Sequence, residues 1–146
     1  MHKPFISLAA CIAALAVALP LHAATAATIR LDLPGTKSTY VDVGRKGYSA
    51  GDYFLTSGRL LDASTHAPAG RLGGVWTILS RQADHAVFDL ALRGGTLFVS
   101  GRIVHTAPSS SLAVTGGTGR YAGARGMLVF RYSSQTSARL EVRLRS

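Results

Sequence analysis

The sequence predicts an all-β domain, a barrel or a sandwich. Three observations carry this. Segment after segment alternates apolar and polar residues with a period of two, as a half-buried strand requires. Glycine and proline punctuate the chain at short intervals. After residue 27 no stretch shows the 3.6-residue period of a helix.

The elements follow in order. Ile29–Leu33 sets Ile29, Leu31 and Leu33 on one face against Arg30 and Asp32, and Pro34-Gly35 ends it. Gly35-Thr36-Lys37-Ser38 only partly resembles the end of a phosphate loop and the first glycine of that motif is missing upstream, so that reading fails. Thr39–Val43 is a second short strand or an irregular return, and Gly44–Gly47 is a basic turn. Gly51–Leu61 places Asp52, Phe54 and Thr56 opposite Tyr53, Leu55 and Ser57. A loop over Asp62–Gly70 leads into Leu72–Leu79, a strand weakened by glycine and carrying Trp76. Ala86–Leu92 alternates most cleanly, with Phe88, Leu90 and Leu92 on one side. Gly94-Gly95 signals a hairpin into Thr96–His105, whose Leu97, Val99 and Ile103 share a face. Met127–Tyr132 and Arg139–Arg145 complete eight or nine strands, and closing them into a barrel would remove exposed edges.

Between them lies Leu112–Gly126, LAVTGGTGRYAGARG, with five glycines in fifteen residues; a short apolar strand, Leu112-Ala113-Val114, opens it and runs into Thr115. A dinucleotide-binding turn would need a helix directly after Gly119, and the remaining chain reads as strand. The alternative is a β-corner in which glycine permits a sharp change of direction. The segment resembles the hallmark stretch of plant dirigent proteins and allene oxide cyclases: Ala124-Arg125-Gly126 matches the dirigent ending, and Leu112–Gly117 the cyclase version. Gly51-Asp52, Gly73 and Gly95-Thr96-Leu97 fall in the same order, so the resemblance spans roughly Ile29–Leu144. It implies an eight-stranded antiparallel β-barrel, usually trimeric, around a pocket for a small apolar or aromatic molecule.

The resemblance also supplies candidate residues. It implies that Asp32, an acid on the first strand, and Arg125 are catalytic, with the arginine holding an anion or developing oxyanion in an apolar cavity. Strand parity puts Arg125 on the face of Met127 and Val129; if that face lines the barrel, the guanidinium needs a carboxylate, and Asp32 is the expected partner. If Asp32 points inward, Ile29, Leu31 and Leu33 point outward and call for a second subunit. Tyr121, Asp52 and Trp76 are candidate ligand-binding residues; packing also suits Tyr121 and Trp76, and hydrogen bonding within the fold suits Asp52. Two departures separate the chain from both plant activities: Trp76 stands near the cyclase cysteine, and Ser111 replaces the acid before the dirigent glycine segment.

Residues 1–26 read as an export signal: His2-Lys3, an apolar run over Phe5–Leu19, and small residues at Ala24-Thr25-Ala26. The run is too short for a stable membrane span. A secreted or periplasmic domain over 27–146 is expected. Cys11 is the only cysteine, so cleavage leaves no thiol or disulfide. Loss of Lys3 takes the formal charge from +9 to +8. Thirteen of the sixteen basic residues are arginines spread along the chain, without the clustered, aromatic-interleaved pattern of a nucleic-acid binder. His66, His85 and His105 lie on separate elements, so no metal is expected, and no motif calls for a cofactor. Three functions remain: a barrel that steers cyclisation or coupling of its ligand, a non-catalytic binder, and a structural envelope barrel.

Overall fold

The computed structural model describes residues 27–145; the export segment expected over 1–26 lies outside the described residues. Nine strands succeed one another: β1 (Thr28–Leu33), β2 (Thr36–Val41), β3 (Tyr53–Asp62), β4 (Pro68–Ser80), β5 (Ala83–Leu92), β6 (Gly95–Val104), β7 (Ser109–Gly117), β8 (Arg125–Tyr132) and β9 (Ala138–Arg145). All pairs are antiparallel. They run in the order β1-β9-β8-β7-β6-β5-β4-β3-β2, and β1 also pairs with β3, which closes the sheet. Pro34 interrupts the first stave, so β1 pairs with the end of β3 while β2 pairs with its beginning, Tyr53–Gly58. Nine strand segments thus make an eight-stranded barrel, as expected. Among the described residues the only helix is a 3-10 turn at Gly119–Tyr121, and none is long and apolar enough to cross a membrane.

Alternation decides which face is core. Leu60 of β3, Leu72 of β4, Phe88 and Leu90 of β5, Leu97 and Val99 of β6, Leu112 of β7, Leu128 of β8 and Leu140 of β9 all point inward and are buried. Each such side chain contributes about 1.5–3 kcal/mol by leaving water. The first strand reverses its expected orientation. Leu31 and Leu33 are both 2% exposed and belong to this core, so parity turns Asp32 to the outside. An outward Leu31 and Leu33 would forfeit two core side chains to bury one carboxylate, and the opposite choice wins.

The two ends of the barrel differ. At one end the chain from Gly117 to Arg125 folds across the opening and seals it. Tyr121 is buried in the core, and the backbone just before it bonds to the β5–β6 hairpin: Thr118 N–H to the Thr96 carbonyl (2.8 Å) and Arg120 N–H to the Gly94 carbonyl (2.9 Å). Gly117 must be glycine here, because a Cβ would lie 2.7 Å from the Thr96 carbonyl oxygen and 2.5 Å from that of Tyr121. The Arg120 guanidinium covers the Tyr121 ring at 5.4 Å. The other end is ringed by the β2–β3, β4–β5, β6–β7 and β8–β9 connections and stays open.

Candidate ligand site at the barrel mouth

The core alternation does not stop where the apolar residues stop. Continuing the inward face of β5 back from Phe88 and Ala86 reaches Asp84, and continuing that of β6 past Ile103 reaches His105. The two meet at the open end, with His105 Nε2 2.8 Å from Asp84 Oδ2. The Asp84 side chain is 6% exposed and that of His105 34%. His105 is fixed from three sides. Its backbone N–H donates to the Gln82 carbonyl (2.9 Å), its Nδ1 lies 3.3 Å from the Arg81 carbonyl, and Ser110 Oγ accepts from the adjacent Val104 N–H (3.1 Å). Both ring nitrogens therefore lie beside oxygens, which fixes the orientation of the ring.

A cavity of about 580 Å³ opens above this pair. Thr36, Ser38 and Thr56 form one polar wall, where Ser38 and Thr56 share a 2.8 Å hydrogen bond. Tyr48, Phe54, Trp76 and Tyr132 supply aromatic walls, and Gln135 and Thr136 of the β8–β9 connection complete the rim. The floor is aromatic too. Trp76 meets Phe88 at 5.1 Å and Phe130 at 5.8 Å between ring centroids, both edge to face, and Phe130 meets Tyr132 at 5.0 Å. Burial, and then the charge of Asp84, push the Tyr132 hydroxyl up to about 12; the same two causes, in the same order, raise that of Tyr48. Both phenols thus stay protonated as donors at neutral pH. Two buried atoms in these walls have no hydrogen-bond partner: Trp76 Nε1, a donor, and Asp84 Oδ1, an acceptor. Unsatisfied buried polar atoms cost about 1–3 kcal/mol each, and a bound molecule is one way to recover that cost.

The family model described as the allene oxide cyclase barrel like domain matches residues 33–144. The chain belongs to that family. Solved structures share the fold of this allene oxide cyclase-like barrel. A pyocyanin demethylase superposes with a TM-score of 0.69 at 24% identity, covering 82% of this chain and 100% of the other. A Diels-Alderase from Streptomyces koyangensis gives 0.66 at 20% identity over 82% of this chain and 63% of its own. A pterocarpan synthase dirigent protein gives 0.63 at 19% identity over 82% of each. A comparison with curated proteins finds no match.

The allene oxide cyclase-like barrel distributes the five residues picked from sequence over very different places. Trp76 lines the cavity. Asp52 sits nearby but is spent on the backbone. Its Oδ1 accepts from Val43 N–H (2.8 Å), and its Oδ2 from Ser49 N–H (2.6 Å), Ser49 Oγ (3.1 Å) and Tyr40 Oη (2.7 Å). These bonds, led by that from Val43, hold its carboxyl below the ordinary range and tie down the loop that carries Tyr48; burial opposes them. Tyr48 in turn stacks on Tyr40 at 6.4 Å. Tyr121 packs into the sealed end. Arg125 also lies at that end, outside the barrel: the inward face of β8 is Leu128 and Phe130, so Arg125 shares the outer face with Met127 and Val129, where its Nη1 donates to the Ala124 carbonyl (2.9 Å). Asp32 is outside as well, held by Arg139 Nε at 3.1 Å with His66 Nδ1 at 3.6 Å. The expected Asp32–Arg125 pair is not formed.

Asp84 and His105 were missed, yet both carried a signal. Each is an ionisable residue at an inward position of its own alternating strand. Reading Ala86–Leu92 three residues too short at its start removed Asp84 from that pattern, and His105 was weighed only as a metal ligand.

Proposed function

We propose that this barrel binds a small planar, largely apolar molecule at its open end and holds it by a hydrogen bond to Asp84. The observation that carries the reading is the Asp84 carboxylate in the wall of an aromatic-lined cavity, with one oxygen on His105 and the other buried without a partner. His105 orients the carboxylate; Oδ1 accepts from an O–H or N–H of the ligand. Stacking on Trp76, Phe54, Tyr48 and Tyr132 favours a flat ring system. Among similar folds, a demethylase of pyocyanin, a Diels-Alderase and a pterocarpan synthase support a small-molecule ligand, and the last two support a reaction in which it cyclises or couples. Orientation in the cavity and proton transfer to Asp84 would supply the rate effect. Without that transfer the same geometry makes a carrier.

The single tryptophan of the chain reports on the site. Titration with a naphthol should change Trp76 emission saturably, and naphthalene, which lacks the donor, should bind at least tenfold more weakly. Equal binding of the two would refute the Asp84 contact.

Export and assembly belong to the same reading. Cleavage near Ala26 would place the barrel outside the cytoplasm, and the intact mass of the secreted form decides it: retention of residues 1–23 would exclude it. A homotrimer is supported by the family's usual assembly and by an apolar row across three strands on the outer face, where the half-buried Val75 is the direct cross-strand neighbour of the exposed Leu55 and Val87. A stable monomer in sedimentation at micromolar concentration would exclude it.

A further inference from the structure

The outside of the barrel is electrically lopsided. Across β5, β6 and β7 the outward positions carry one arginine, Arg102, and one aspartate, Asp89. Across the adjoining strands β8, β9 and β1 they carry six arginines against Asp32 and Glu141. Register makes this face unfavourable on its own: Arg125 lies directly opposite Arg145, and Arg131 directly opposite Arg139. Like charges directly opposite on a sheet repel. The carboxylates do not cancel them. Glu141 serves Arg143 (2.6 Å) and Arg30 (3.8 Å), and Asp32 serves Arg139 (3.1 Å). Neither Arg125 nor Arg131 has a carboxylate partner among the described residues. Between them on β8 stand the apolar Met127 and Val129.

We propose that the β8–β9–β1 face docks on a membrane surface rich in anionic phospholipid headgroups. Guanidinium groups bind phosphate oxygens in pairs, which suits arginine rather than lysine. The array is broad and convex, about 20 Å along β9 and about 10 Å across three strands, which fits several headgroups rather than one ligand. None of its outward residues is aromatic, so it lacks the stacking platform of a single-stranded nucleic-acid surface. Headgroup phosphates would relieve the two arginine–arginine oppositions, and the half-buried Met127 can settle against the interface between them. The mouth cavity plays no part in this contact.

Co-sedimentation of the protein with phosphatidylcholine vesicles, with and without phosphatidylglycerol, tests it. The protein should pellet only with the anionic vesicles and should release as salt shortens the screening length from about 10 Å toward 3 Å. Arg125→Gln/Arg131→Gln should weaken binding roughly ten- to thirty-fold. Arg59→Gln/Arg71→Gln removes the same charge from a cross-strand pair on β3 and β4 and should retain most of it. Thermal melts of both variants separate docking from unfolding. Pelleting with neutral vesicles, equal loss in both folded variants, or binding to soluble heparin but not to vesicles would each overturn the proposal. The wild-type arms decide even if a variant does not fold.

Discussion

The sealed and open ends of this barrel are built from the same strands by opposite means. At the sealed end glycines let backbone pack on backbone, and the cap is held by main-chain bonds from Thr118 and Arg120 with Tyr121 as the plug. Among the described residues, no buried side-chain nitrogen or oxygen there lacks a partner. At the open end the closing contacts are side chains: Asp52 ties a loop, His105 ties Asp84, and two polar atoms remain without partners. A motif that is conspicuous in sequence can thus mark where a fold is closed, while the chemistry sits at the far end, on residues whose only mark is parity.

Substitutions that respect this division should have graded effects. The largest is expected at the sealed end. Gly117→Ala drives a Cβ into two carbonyl oxygens that cannot yield separately, and should cost about 3–4 kcal/mol, read as a lowered melting temperature. A melting temperature within a degree or two of wild type would mean that the cap is looser than described. Next comes His105→Leu, which leaves the buried Asp84 without its donor. Because His105 is a third exposed, a loss of about 1–2 kcal/mol is expected, and Asp84→Leu/His105→Leu should regain part of it. Additive losses in that double-mutant cycle would deny the coupling.

A smaller, local effect concerns pH. The Asp52 carboxyl is held below its unfolded value, so its contribution is full above about pH 4, the ordinary carboxylate value, and fades as pH falls through the lower folded value. The amide resonances of Val43 and Ser49 should move together in that acid range while those of the Gly119–Tyr121 turn stay fixed. Titration of Val43 and Ser49 at an unshifted carboxylate value would contradict the latch. The smallest effect on the cavity is expected from Arg125→Leu, because the side chain is outside the barrel at the wrong end.

Much of the fold was legible because burial enforces a period of two. Each observed strand was located from alternation and turn residues, with errors at the ends. The starts of β5 and β7 were placed late because Ala83-Asp84 and Ser109-Ser110-Ser111 do not look apolar, although Asp84 and Ser110 are buried. Orientation of the first strand was not legible from β1 alone, since Asp32 and Leu31 compete for the inside and the surrounding core decides. Closure through β1 and β3 is a long-range pairing with no local signal; it came from the resemblance. The site residues came from the same resemblance, which locates a motif without saying which end of the barrel it serves. His105 and Asp84 are 21 residues apart and meet only through the β5–β6 register.

The central claim is that the ligand end is the mouth and that Asp84 is its polar contact. The most direct measurement is a naphthol titration of Trp76 fluorescence on wild type, Asp84→Leu and Arg125→Leu, each first shown by circular dichroism and thermal melting to be folded. The account predicts at least a tenfold weaker Kd for Asp84→Leu, with discrimination against naphthalene abolished, and an unchanged Kd for Arg125→Leu. An unchanged Kd for folded Asp84→Leu, or lost binding in folded Arg125→Leu, would contradict it.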